Sequence, residues 1–191
     1  MSKNVIFKFA NPNDLSVVAS QQTQTFGDGK ITGPIPTQST TVLIGVVIGA
    51  GITSIEPSAF LGCTSLATVS GMEGVTSIGA NAFNRCSSLA EVLIPTSVTS
   101  IGAGSFYMCT SLKSVIGMGG VTTIASGAFY GCSSLAAVSI PTSVTSIGGG
   151  AFYGCTSLKS VIGMEGWDGS GEAAFGDCSS LVEVSIPKSV T

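Results

Sequence analysis

Large apolar side chains recur along this chain at a constant step of 23 residues. Phe60, Phe83, Phe106, Phe129, Phe152 and Phe175 set the phase. A cysteine follows each of them by three residues, a leucine by six and a valine by nine. The unit reads F-x-x-C-x-x-L-x-x-V-x-[IG]-x-x-x-V-T-[ST]-I, with Ser, Thr and Gly filling most of the intervening places. In L-x-x-V-x-I the apolar residues fall on alternate positions, the period of a strand with one buried face. V-T-S-I is a second short extended stretch, and the Pro and Gly residues between the two are corners. A 46-residue period is superimposed. Ile94-Pro95, Ile140-Pro141 and Ile186-Pro187 alternate with Gly71-Met72, Gly117-Met118 and Gly163-Met164. A leading turn without Phe or Cys places Leu43, Val46, Ile52 and Ile55 at the Leu, Val, Val and Ile positions.

Repetition at this spacing dictates stacking. The apolar side chains of one unit bury too little surface to offset the entropy of ordering 23 residues, so each unit needs neighbours above and below. The strand segment carries the leucine-rich-repeat pattern. The expectation is a β-rich leucine-rich-repeat solenoid, a right-handed coil of about six to seven turns, spanning residues 42–191. Residues 1–41 form a non-repeat N-terminal cap or interaction segment.

The stretch SSLAAVSIPTSVTSIGGGAFYGC resembles the BspA-like class of leucine-rich repeats, with its Ile-Pro corner, its SVTSIG segment and its AF-x-GC closure. The resemblance covers residues 42–191. It implies a non-catalytic solenoid, often at a cell surface and often engaged in adhesion or protein binding. The Gly-Met corner in every second unit departs from the usual Ile-Pro form, and residues 1–41 do not match.

Composition narrows the function classes. Only 9% of the 191 residues are charged and the net charge is −3, which leaves no basic footprint for nucleic acid. The longest apolar run, Val42 to Ile52, is too short and too glycine-rich to span a membrane. The N-terminal sequence MSKNVIFKFANPND shows no secretory signal, so a surface location follows from the resemblance alone. Histidine is absent, which removes Ser-His and Cys-His couples. Glu91 and Glu183 share a repeat position too many coils apart to act as paired carboxylates. The glycine strings are corners and do not open a helix after a strand. No enzyme activity, cofactor or metal is expected.

All six cysteines belong to the single ladder. A buried column of small side chains is the first reading. Disulfides between adjacent coils suit the parallel side-chain vectors poorly, and zinc-like C-x-x-C pairs never occur.

Three sets of residues are candidates for contact with a protein or glycan partner, or with further copies of the chain. Leu93, Ile116 and Ile162 face outward on the sheet, flanked by Lys113 and Lys159, as a candidate partner face. Tyr107, Tyr130 and Tyr153 form an aromatic column that either binds a partner or packs across coils. The third set is an end-to-end contact made by Trp167, Ile186 and Val190 with Val5, Phe7 and Phe9. The last unit stops at Thr191 in mid-repeat: either the array continues in a longer protein, or an open strand edge there invites association. A head-to-tail contact that does not close by symmetry builds a fibre. The adjacent Thr and Ser of the V-T-S-I segments form hydroxyl ladders, open to structural hydrogen bonding, O-linked sugars or an ice-like array.

Overall fold

The computed structural model describes residues 4–11, 14–25, 29–32 and 42–185. Fifteen strands appear among them, with a single 3-10 turn at Met72–Gly74 and no α-helix. In chain order they are β1 (Asn4–Asn11), β2 (Asp14–Thr25), β3 (Lys30–Ile31), β4 (Val42–Ile48) and β5 (Ser54–Ile55). Next come β6 (Thr68–Ser70), β7 (Ser77–Ile78), β8 (Glu91–Ile94), β9 (Ser100–Ile101) and β10 (Ser114–Gly117). The series closes with β11 (Thr123–Ile124), β12 (Ala137–Ile140), β13 (Ser146–Ile147), β14 (Ser160–Gly163) and β15 (Glu183–Val184). Successive coils stack in parallel at the 23-residue step, so the expected β-solenoid is the fold.

Each coil contributes to three walls. On the first wall the L-x-x-V-x-I strands point Leu89, Val92 and Ile94 inward and leave Glu91 and Leu93 exposed. This wall is not continuous. It comprises β2-β1-β4-β6, then β8-β10, then β12-β14-β15. The second wall is one six-stranded sheet, β3 through β13 by odd numbers, built from rungs of two residues. Its first rung, Lys30–Ile31, pairs with Ser54–Ile55 at a step of 24 and lies within the segment 1–41.

The third wall carries the F-x-x-C segments. Phe60 N–H donates to the Ala82 carbonyl of the next coil, and Ser58 and Gly62 donate likewise to Ala80 and Asn84. The pattern repeats to Phe152, which donates to Ala174. Alternate donors therefore all point along the stack in one direction. That geometry needs left-handed residues two before and two after each Phe, and Ser58, Asn81, Arg85, Met108, Ala173 and Asp177 take that conformation without being glycine. The other half of the donors close three-residue turns within the coil.

One contiguous core runs through the solenoid. The Phe rings stack at 5.1 to 5.3 Å between centroids. The two corner types supply the same core slot differently. Ile94 and Ile140 enter it directly, whereas Gly117 and Gly163 adopt left-handed backbone and Met118 and Met164 enter from the following position. A Cβ on Gly117 would collide with the Ile94 carbonyl oxygen, and one on Gly163 with that of Ile140. The Gly117-Met118 and Gly163-Met164 corners thus sit directly on the Ile-Pro corners before them, and Gly71-Met72 sits likewise on Ile48-Gly49.

The breaks in the first wall fall before two of the three Ile-Pro corners, and the β14–β15 junction, which Ile186-Pro187 follows, stays paired. Met118 N–H donates to Ile94 O, and Met164 N–H to Ile140 O, which ties those coils together. The equivalent donor in the coils starting at β8 and β12 would be that of Pro95 and Pro141, which have none. The wall opens at those two junctions, β6 to β8 and β10 to β12.

Candidate binding face

The cysteine column shows what the ladder thiols do. Cys86, Cys109, Cys132 and Cys155 are fully buried, while Cys63 and Cys178 at the ends are half-buried. Each Sγ from Cys86 onward donates to the carbonyl of the Phe 26 residues earlier, at 3.1 to 3.2 Å. That carbonyl already accepts from its own coil's cysteine N–H, as Phe60 O does from Cys63. Cysteine is small enough for the site and provides the second donor. Burial raises Cys63 to about 11 and both Cys109 and Cys155 to about 12. They stay protonated and unreactive at neutral pH, because the thiolate is the nucleophile and metal ligand. Among the described residues no group of His, Cys, Asp or Glu is arranged to hold a metal.

The threonine ladder is also bonded within the fold. Thr76 Oγ1 donates to Thr53 O at 3.0 Å, and Thr99, Thr122 and Thr145 repeat the contact.

On the outer surface of the first wall Leu93, Ile116 and Ile162 are 52%, 46% and 50% exposed. Leu93 lies beside Ile116 in register, and Ile162 beside Ser139. The apolar stripe is therefore interrupted by one serine. Lys113 and Lys159, both exposed, enter β10 and β14.

Where β6 and β8 part, a recess of about 250 Å³ opens. Val69, Met72, Leu93 and Pro95 line it together with Glu73 and Glu91. The sequence reading took Ile-Pro as a corner only. The missing N–H of Pro95 was the available signal for this opening.

Tyr107, Tyr130 and Tyr153 stack at 4.8 and 5.0 Å, nearly parallel, and are half-buried. The Tyr153 ring ends the column by lying over Gly176, where a Cβ would come within 2.6 Å of it. A hydrogen bond with the Asp177 carboxylate raises the Tyr153 pKa.

The end-to-end set is dispersed. Val5 and Phe7 are buried in this chain's own core, and β1 is paired on both edges, by β2 and β4. Their side chains are thus unavailable to a second copy. Phe9 lies on β1 opposite Leu43. Trp167 is half-buried, edge-on to Phe175 at 6.2 Å, and donates its Nε1–H to Ser170 O. Asp168 accepts from Ser170 N–H, and its contacts with Ser170 lower its pKa. Ile186 and Val190 lie outside the described residues. No described helix is long and apolar enough to cross a membrane.

Comparison with known proteins agrees with this architecture. The family described as BspA type Leucine rich repeat region, in six copies, matches residues 38–159 and 122–191. A leucine-rich repeat protein of T. pallidum has a similar solved structure, at 31% identity and a TM-score of 0.73. The match covers 78% of this chain and 75% of that one. A leucine-rich repeat protein from Bacteroides ovatus matches at 26% identity and a TM-score of 0.62, over 83% of this chain and 52% of that one. A leucine rich cell surface protein from Faecalibacterium prausnitzii matches at 25% identity and a TM-score of 0.52, over 89% and 54% respectively. The chain thus spans about half the length of the last two. Among curated proteins none matches in sequence.

Proposed function

Since the chain belongs to the BspA-type leucine-rich repeat family, we propose that it is a non-enzymatic binding scaffold of a cell surface. Its contact face is the outer stripe of the first wall, and its partner is a protein or a glycan. One observation carries this reading: Leu93, Ile116 and Ile162, three large aliphatics, stand about half exposed on the outer side of the first wall. Exposed apolar surface of this kind marks contact sites. The description of the F. prausnitzii relative as a cell surface protein supports the location. The test is a protein and glycan array probed with the chain and with its Leu93→Lys/Ile116→Lys/Ile162→Lys variant. Partners held by the stripe lose at least about tenfold in affinity, since three charges introduced into one apolar contact need cost only about 1.4 kcal/mol together. Undiminished capture by a variant that still folds overturns the reading.

A second reading, head-to-tail assembly into a fibre, is favoured by the polarity of the third wall. A further turn placed after Phe175, whether from a continuation of the chain or from another copy, adds through the same one-way bonds that join the coils. Size-exclusion chromatography and electron microscopy decide it. Filaments that vanish with Ile186→Asp and Val190→Asp support assembly, and a monomer at every concentration removes it.

A further inference from the structure

We propose that the recess between β6 and β8 accepts a lysine or arginine side chain from a partner protein. The biological sense of this rests on the scaffold reading, but its geometry does not. At about 250 Å³ the recess falls below the roughly 300–1,000 Å³ of small-molecule sites. It suits a single side chain. Buried Met72, with Val69, Leu93 and Pro95, provides an apolar bed for the methylene stem of a basic residue. Glu73, in the turn after β6, and Glu91, at the start of β8, place a carboxylate toward either end for the cationic head.

Neither carboxylate is neutralised by an ion pair among the described residues. The ion pair of Lys30 with Glu56 lies on the second wall, and neither Glu73 nor Glu91 forms one with any described residue. Glu91 accepts only the Ser114 hydroxyl, at 3.0 Å. A charge with no partner in its own fold is complementary to a cation from elsewhere.

The second opening of the same wall is an internal control. Between β10 and β12 the repeat places Pro141 where Pro95 stands, so the backbone break recurs. Gly119 replaces Glu73, Ala137 replaces Glu91 and Ser139 replaces Leu93. The opening occurs at both places, and the side chains particular to the first one make it acidic and apolar together.

Amide NMR tests this on the whole chain, titrated with Nα-acetyl-arginine methylamide and with its norleucine counterpart, which keeps the stem without the charge. Shifts concentrate on residues 69–73 and 91–95 and saturate at about 1 mM, an ordinary affinity for so small a ligand. The norleucine compound binds about tenfold or more weakly, as does arginine to the Glu73→Gln/Glu91→Gln variant, and salt weakens the arginine response. The Ile116→Lys/Ile162→Lys variant, which disables the stripe, leaves it unchanged and so separates this proposal from the preceding one. Equal response to norleucine, equal shifts at residues 115–119 and 137–141, or insensitivity to the double Gln variant overturns it.

Discussion

The second wall is made of two-residue rungs and runs unbroken through six of them, whereas the first wall has strands of up to four residues between β8 and β14 and splits twice. Strand length therefore does not decide continuity. Every rung of the second wall, from Ser54 to Ser146, carries a backbone donor, and the threonine beside it adds a hydroxyl bonded to the coil before. On the first wall a proline in every second coil removes one donor at the exit corner. The strands part at two of the three such junctions, while β14 and β15 stay paired although Pro187 follows. Val69 and Val115, in the strands that precede the two openings, are half-buried, whereas Val92 and Val138, in the strands that follow them, are buried.

The largest expected effect contrasts an inward rung of the continuous wall with an outward position on the divided one. Ile101→Ala empties a packed site and costs about 2–5 kcal/mol, whereas Leu93→Ala stays within about 0.5 kcal/mol. Urea denaturation of both reads the difference, and equal costs would break the comparison. Gly117→Ala comes next. It must hold φ near +97° and meets the Ile94 carbonyl, for a loss of about 1–3 kcal/mol. Gly119→Ala, whose added carbon would meet only the Thr96 methyl at 3.3 Å, changes the midpoint little. Ser105 supplies a gain. Its buried Oγ has no partner, while the same position holds Ala59, Ala82, Ala128, Ala151 and Ala174. Ser105→Ala raises stability by about 1 kcal/mol, visible as an upward shift in Tm. The smallest effect is the most pointed. Pro95→Ala restores a donor in line with the Gly71 carbonyl. The gained hydrogen bond and the looser unfolded chain offset each other to within about 1 kcal/mol. Hydrogen exchange at residues 91–95 slows if the seam closes and stays fast if proline is not its cause.

Much of this architecture was legible because identical spacing forces identical surroundings. The Phe, Cys and Leu columns follow from the 23-residue step, as do the outward places of Leu93, Ile116 and Ile162. What escaped depended on the backbone. Left-handed conformation falls on residues as different as Ser58, Asn81, Arg85 and Met108, so no side-chain pattern announces the third wall. The rung Lys30–Ile31 is offset by 24 and lacks the V-T-S-I signature. Val5 and Phe7 alternated as a strand should, but alternation states which side chains share a face and not whose core they enter. The Ile-Pro and Gly-Met alternation was visible, yet its weight lay in a proton that Pro95 lacks rather than in a shape.

The seating of Gly117-Met118 and Gly163-Met164 upon Ile-Pro corners makes two coils the step at which corner contacts recur in this chain. Removing or adding one coil alone would set like upon like. In this chain a 46-residue insertion or deletion would reproduce the existing corner contacts, whereas a 23-residue one would create a corner contact it does not otherwise contain.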